Sequence, residues 1–138
     1  MDNMEKITLS IFVPCFNEEK NITNTLNNIK ETIQNISYEI LVTDDGSKDK
    51  TVAIVEKFKK ENQNLDIKIF RNENNHGLGF NYYATAYKAV GKFYMLVNGD
   101  AVEPPITIKK MLDSLGKADM ILTYFPGKND KAPQSNSG

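Results

Sequence analysis

The stretch Phe93-Tyr94-Met95-Leu96-Val97-Asn98-Gly99-Asp100 is an apolar run that reads as a strand and stops at a polar tripeptide. In α/β proteins the carboxyl ends of strands are where ligands bind. An Asn and an Asp two apart at such an end can hold a divalent metal or a ribose, because the carboxylate is a hard oxygen donor. Taken alone the tripeptide is as readily a tight turn, since Asn-Gly is a common turn pair.

Working upstream, residues 7–13 (Ile-Thr-Leu-Ser-Ile-Phe-Val) are β-rich, nearly all apolar at their end, and stop at Pro14. They predict a first strand buried on both faces. Asn17 is the expected cap of a helix in which Ile22, Leu26, Ile29, Ile33 and Ile36 recur at spacings of four, three, four and three, an amphipathic pattern. Residues 38–43 predict a second strand, stopped by Asp44-Asp45-Gly46-Ser47. Asp49 is the expected cap of the next helix, with Val52, Val55 and Phe58 inward. Residues 65–70 alternate as a strand with one exposed face does, and 71–79 form a polar loop with two glycines. Helical spacing resumes through Phe80, Tyr83, Ala84, Tyr87 and Val90, with Gly91 as the stop.

Downstream, Pro104-Pro105 breaks the chain and pre-sets a helix start. Ile108, Met111, Leu112 and Leu115 supply that helix's apolar face, and 120–125 predict a fifth strand. Residues 126–138 are rich in Pro, Gly, Asn, Ser and Lys without periodicity and are expected to be a polar flexible tail. Strands alternating with helices predict an α/β fold with a mostly parallel, doubly wound sheet, in one domain over 1–125.

The 138 residues carry 17 basic and 18 acidic side chains, a net charge of −1 that gives no reason to expect a general binder of nucleic acid or of membrane surfaces. A lone cysteine, Cys15, excludes an internal disulfide and fits a reducing cytoplasmic setting. With no base near it in sequence, Cys15 reads as a part-buried small residue rather than a nucleophile. Residues 1–6 are polar, and the apolar run after them is interrupted by Thr8 and Ser10, too short for a signal or a span.

In a parallel sheet the polar groups just past the strands share one edge. Here they are Pro14-Cys15-Phe16-Asn17-Glu18, Asp44-Asp45-Gly46-Ser47, the loop 71–79, and Asn98-Gly99-Asp100. Each piece can be a turn or cap. Acidic groups gathered on one rim repel each other, and a cation or a ring N–H among them offsets that cost. Asn75-His76-Gly77-Leu78-Gly79 opening a helix resembles a phosphate cradle. It lacks the third glycine of the dinucleotide fingerprint and follows the third strand, which disfavours an NAD site. His76, the only histidine, reads as a surface or packing residue; no zinc cluster, Gly-x-Ser-x-Gly elbow or Walker loop is present.

In this order, Val13-Pro14-Cys15-Phe16-Asn17-Glu18-Glu19, Asp44-Asp45-Gly46-Ser47-Lys48-Asp49-Lys50-Thr51, Asn75-His76-Gly77-Leu78-Gly79 and Leu96-Val97-Asn98-Gly99-Asp100 closely resemble glycosyltransferase family 2. The nearest likeness is to the dolichyl-phosphate-mannose-synthase-like branch of the GT-A fold, over residues 7–125. The resemblance implies a GT-A, Rossmann-like sheet with helices on both faces, binding a UDP- or GDP-sugar and Mg²⁺ or Mn²⁺. It places Pro14, Phe16 and Glu18 at the base and ribose, Phe16 stacking on the base. It gives Asp44, with Asp45 beside it, the base's ring N–H, Gly77 the flank of the nucleotide, Asn98 the ribose, and Asp100 the metal on the diphosphate. The implied reaction moves the sugar to an acceptor hydroxyl or phosphate, such as a lipid phosphate or a glycan, in polysaccharide or cell-wall synthesis.

Three departures stand out. Asn98 replaces the first Asp of the Asp-x-Asp motif and brings no charge. Leu78 stands where relatives in this branch often carry Lys. No catalytic base is assignable; Glu103 sits where the family has loop residues. The chain is therefore expected to be the donor-binding portion of a longer enzyme, at the inner face of a membrane through segments beyond it. The alternative is a non-catalytic nucleotide-binding module that has lost transfer. A sugar-phosphate nucleotidyltransferase would need a Gly-rich basic loop after the first strand, which Cys15-Phe16-Asn17-Glu18 is not.

Overall fold

A computed structural model describes residues 6–100 and 105–114. Among the described residues eight elements alternate: β1 (Leu9–Cys15), α1 (Ile22–Thr32), β2 (Tyr38–Asp44), α2 (Thr51–Glu61), β3 (Asp66–Arg71), α3 (Leu78–Ala86), β4 (Phe93–Leu96) and α4 (Pro105–Asp113). The strands form one sheet in the order β3-β2-β1-β4, and every pair is parallel. The chain thus leaves β1 toward β2 and β3, then returns to β1's other side as β4. This reversal is a topological switch point, and it opens a crevice beyond the carboxyl ends of β1 and β4.

One face of the sheet carries the main core. Leu9, Ile11, Val13 and Cys15 of β1 pack with Ile22, Leu26 and Ile29 of α1, Val55 and Phe58 of α2, and Ile108 and Met111 of α4. Apart from Cys15, these are positions at which the apolar pattern predicted contact; Val52, expected inward on α2, is not part of this core. The opposite face is covered by α3. There Phe12 and Tyr94 stack at 5.9 Å, and Tyr82 meets both rings edge-on.

Several expectations change. Asn17 does not cap α1, which starts at Ile22 after Asn21. Instead Asn17 takes a left-handed backbone (φ 53), which Asn tolerates. Its N–H donates to Ser47 Oγ (2.7 Å) and its side-chain oxygen accepts from the Lys48 N–H (2.9 Å). The residue joins two strand-end loops rather than starting a helix. Of the residues expected to face inward, Phe80 and Tyr83 of α3 and Tyr87 and Val90 beyond its end at Ala86 point out, 54%, 68%, 90% and 64% exposed. The buried positions are Asn81 and Thr85. Thr85 shares a 2.7 Å hydrogen bond with Thr43 of β2, and Asn81 accepts one of 2.7 Å from Asn72. Polar partners from distant segments turn the helix away from its greasiest side.

Asp49 is not the N-cap of α2 either: that position is Lys50, and Asp49, two residues before Thr51, accepts the Thr51 N–H at Oδ1 (2.9 Å) within the turn that leads into the helix. The fifth strand expected over 120–125, the tail 126–138, Leu115 and Glu103 lie outside the described residues. Among the described residues, no helix is long and apolar enough to cross a membrane.

Candidate functional site

The strand-end loops are stitched to one another, and the stitching forms a cleft. The Asp45 N–H donates to the Cys15 carbonyl (2.9 Å), joining the β2 loop to β1. The Gly99 N–H donates to the Pro14 carbonyl (3.0 Å), joining the β4 loop to β1's other side. The Glu18 N–H donates to Thr51 Oγ1 (2.8 Å), at the start of α2. Between them lies a cleft of about 200 Å³, lined by Pro14, Cys15, Phe16, Glu18, Asp45, Leu78, Asn81, Asn98 and Gly99. A wider hollow of about 670 Å³ between α2 and β3, lined by Glu56, Lys59, Lys60, Gln63, Leu65 and Ile69, gathers no strand ends.

Five of the sequence-predicted site residues, Pro14, Phe16, Glu18, Asp45 and Asn98, share this cleft. Phe16 keeps 45% of its surface in solvent, leaving part of its ring open to a planar ligand. The two adjacent aspartates part company. Asp44 is 0% exposed and does not line the cleft. Its carboxylate accepts the Ser47 N–H (3.0 Å) and hydroxyl, lies 3.8 Å from Cys15 Sγ, and pairs with Arg71 Nε at 3.8 Å. It serves the interior of the loop that the sequence assigns to a ligand. Burial, with the Asp44 charge next in size, pushes the Cys15 thiol far up, so Cys15 is a neutral wall residue and no nucleophile.

Asp45 turns the other way. Its Oδ1 accepts the Asn72 side-chain N–H (2.9 Å) and the His76 N–H (2.8 Å), and its Oδ2 accepts the Gly77 N–H (2.9 Å). The Asn81 side chain adds a further hydrogen bond. Burial alone would raise this carboxyl, but the His76 N–H, Asn81, Asn72 and the Gly77 N–H together hold it below the usual range. The Gly77 N–H, read from sequence as a phosphate donor, is thus committed to Asp45. Gly77 precedes α3 with φ 92, a backbone that glycine adopts without strain. His76 stacks on Phe80 at 4.6 Å, the packing role expected of it.

Glu18 is raised by burial first; the Asn21 hydrogen bond opposes this, and the nearby charges of Asp100 and Asp49 add to it. Asp100 therefore sits close enough to Glu18 for the two carboxylates to repel. Among the described residues, no three His, Cys, Asp or Glu gather to hold a metal by themselves.

Asn72 and Asn81 escaped the sequence reading as site residues, and Leu78 entered it only as a member of the 75–79 loop. The signal for Asn81 was present: Asn81 and Thr85 are polar and four apart, one helical turn, inside an otherwise apolar segment.

Gly99 is the point of closest approach. A Cβ there would lie 2.8 Å from the Pro14 carbonyl oxygen, 3.0 Å from Cys15 Cβ and 3.2 Å from Ile22 Cδ1. Gly99→Ala is expected to destabilise the chain by about 1–3 kcal/mol through overpacking, read as a lower urea midpoint at unchanged slope. An unchanged midpoint would show that the loop yields freely.

Comparison with known proteins places this geometry. A family model described as Glycosyl transferase family 2 matches residues 10–136. The poly(ribitol-phosphate) beta-N-acetylglucosaminyltransferase TarS of Staphylococcus aureus is 33% identical over 131 residues, 91% of this chain and 22% of its own length. Its structure in complex with UDP-GlcNAc superposes with a TM-score of 0.68 at 28% identity, covering 94% of this chain and 38% of that one. The dolichol-phosphate mannosyltransferase of Pyrococcus furiosus is 27% identical over 107 residues, 78% of this chain and 30% of that protein. A mannosyltransferase from Pyrobaculum calidifontis, solved with GDP-Man and Mn²⁺, shares the fold with a TM-score of 0.70 at 22% identity, over 81% of this chain and 33% of that one. The chain spans less than a third of the length of either curated relative named here. Its parallel α/β sheet is of the GT-A, Rossmann-like kind, and the chain belongs to glycosyl transferase family 2.

Proposed function

We propose that this chain is the donor-binding part of a glycosyltransferase that takes a UDP- or GDP-sugar with Mg²⁺ or Mn²⁺. The observation that carries the reading is the convergence of three strand-end loops and α3 on one cleft at the switch point of the sheet. The half-exposed Phe16 ring stacks on the base in the cleft that Pro14, Asp45 and Asn81 also line. Asn98 reaches the ribose, a contact that an uncharged amide makes as well as a carboxylate does.

The acidic pair Glu18 and Asp100 fits a hard divalent cation, because a positive charge between them relieves the repulsion that helps raise Glu18. Sites for Mg²⁺ use one or two carboxylates plus substrate phosphates, so a three-residue cage is not required. Asp100 is the proposed ligand. When bound, the ion neutralises charge building on the departing nucleoside diphosphate. Asp44 acts from behind, holding the 44–47 turn in place. The acceptor is a hydroxyl or phosphate, and a lipid-linked one is in keeping with the dolichol-phosphate name of the P. furiosus relative. Both curated relatives named above are called transferases, so they lend no support to a non-catalytic module.

Calorimetric titration with UDP, GDP and their sugars, in Mn²⁺ and in chelator, tests this. A folded sample that binds none of them ends the proposal. Asp100→Ala is expected to bring the affinity in Mn²⁺ down to the chelator value, whereas Asn98→Asp leaves it equal or tighter. Unaltered metal dependence in Asp100→Ala would remove Asp100 as the ligand.

A further inference from the structure

We propose that the base taken by the cleft is uracil, and that the Asn81 amide reads its imide edge. The inference rests on the donor-site reading and names the base within it. A stacked single base is read by hydrogen bonds to its pairing edge. The carboxylates that line the cleft are Glu18 and Asp45. Asp45 already accepts from Asn72, the His76 N–H, the Gly77 N–H and Asn81. Those donors fill the roughly four acceptor positions of a carboxylate, so none is left for a ring N–H. Glu18 accepts from the Asn21 side chain (3.0 Å) and faces the charge of Asp100, and Asp44 is fully buried. The polar group left beside Asp45 is Asn81, which lines the cleft and is 2% exposed. So little water reaches its amide that a matched hydrogen bond there counts for more than at the surface.

The network fixes which way that amide faces. A carboxylate only accepts, so Asn72 turns its NH2 toward Asp45 (2.9 Å). The same NH2 meets the Asn81 oxygen at 2.7 Å, and the Asn81 NH2 is then the donor to Asp45. Turned over, the amide would set NH2 against NH2 and oxygen against carboxylate. Among the described residues, one lone pair on Oδ1 and one hydrogen on Nδ2 are left for a ligand. Uracil complements that pair: its ring N–H donates to Oδ1, and the carbonyl beside it accepts from Nδ2. Cytosine offers a ring acceptor beside an amino donor, the reverse order, and an amide held at both atoms cannot turn to meet it. Guanine has a matching N–H and carbonyl, but its exocyclic amino group adds donors. The filled Asp45 carboxylate has no place for them, and a buried donor left unpaired costs affinity.

Calorimetric titration in Mn²⁺ with UDP, CDP, GDP and UDP methylated on its ring nitrogen tests this. The wild-type chain is expected to bind UDP about tenfold or more tighter than each of the others. The methylated ligand keeps the stacking face and the diphosphate and loses the N–H, so it probes the edge without altering the protein. Asn81→Ala should bring UDP down to about the level of CDP and leave CDP nearly unchanged, whereas a merely structural loss would weaken both alike. Asn81→Ser, which keeps a polar group next to Asn72, should lose the selectivity in the same way. Equal affinity for UDP and GDP, or for UDP and its methylated form, would overturn the uracil reading and leave the donor site standing. A preference for UDP that survives in both variants would take the edge away from Asn81. A folded chain that binds none of the four ends the donor site, and this inference with it.

Discussion

Asp45→Ala is expected to loosen the cleft and weaken nucleotide binding together. One carboxylate accepts from Asn72 (2.9 Å), the His76 N–H (2.8 Å) and the Gly77 N–H (2.9 Å), and so pins the loop that leads into α3. Hydrogen bonds to a charged acceptor contribute about 1.5–3 kcal/mol each, and they are not additive. A net loss of roughly 3 kcal/mol is therefore expected, within the range of charge-assisted network losses. Amide exchange at His76 and Gly77 should speed up well before global unfolding, because their acceptor has gone. UDP and GDP affinity should fall by about a hundredfold, since one wall of the cleft, Leu78 and Asn81, hangs on that loop. Asp45→Asn keeps one acceptor oxygen and should fall between. Slow exchange at both amides in Asp45→Ala would mean that the loop is held by something else.

Glu39→Ala is expected to carry the largest cost in stability alone, about 3–5 kcal/mol. The side chain is fully buried. Its Oε2 accepts from the Ser10 hydroxyl (2.6 Å) and the Val90 N–H (2.8 Å), and its Oε1 from Lys68 Nζ (2.8 Å). Ser10 Oγ in turn accepts the Gly91 N–H (2.8 Å). Four segments, β1, β2, β3 and the turn before β4, thus meet at one carboxylate. Truncation strands the Val90 N–H and the Ser10 hydroxyl, while the part-exposed Lys68 can turn to water. Urea unfolding reads the loss as a lower midpoint, and nucleotide binding by the fraction still folded should be unchanged, because Glu39 is at the far end of the sheet from the cleft.

The same group ties stability to pH. Burial alone would raise Glu39, but the Lys68, Ser10 and Val90 hydrogen bonds and the Lys68 charge hold it below its ordinary value. Its contribution is therefore complete above the unfolded carboxylate pKa and is lost as the pH falls through the lower folded value. Asp45 has the same sign. Glu18, which is raised, has the opposite one: its cost appears as the pH climbs from the unfolded value through the folded one. Glu39→Gln should flatten the acid side of the stability profile, and an unaltered acid side would assign that lability to other carboxylates.

Much of this was legible before any coordinates. The apolar runs of β1, β2 and β4 and the spacing of Ile22, Leu26 and Ile29 announce a parallel sheet under helices, because their burial follows directly from periods of two and 3.6 residues. The gathering of Pro14, Phe16, Glu18, Asp45 and Asn98 follows as well, since parallel strands deliver their carboxyl ends to one edge.

What the chain order could not decide is which way neighbouring side chains face once that edge is built. Asp44 and Asp45 are chemically alike, yet successive residues leaving a strand point to opposite sides. Asp44 turns in beside Cys15, and Asp45 turns toward the loop before α3. The rotation of α3 was hidden for a similar reason. Its apolar side looked inward by composition, but Asn81 and Thr85 find Asn72 and Thr43, partners nine and 42 residues away. The sequence by itself determined the sheet, its polarity and the rim that carries the chemistry, because these rest on local period and strand direction. The tertiary structure alone decided which aspartate meets the cleft, what Glu39 holds together and which face of α3 meets the sheet, because these depend on hydrogen-bond partners that meet only when distant segments pack.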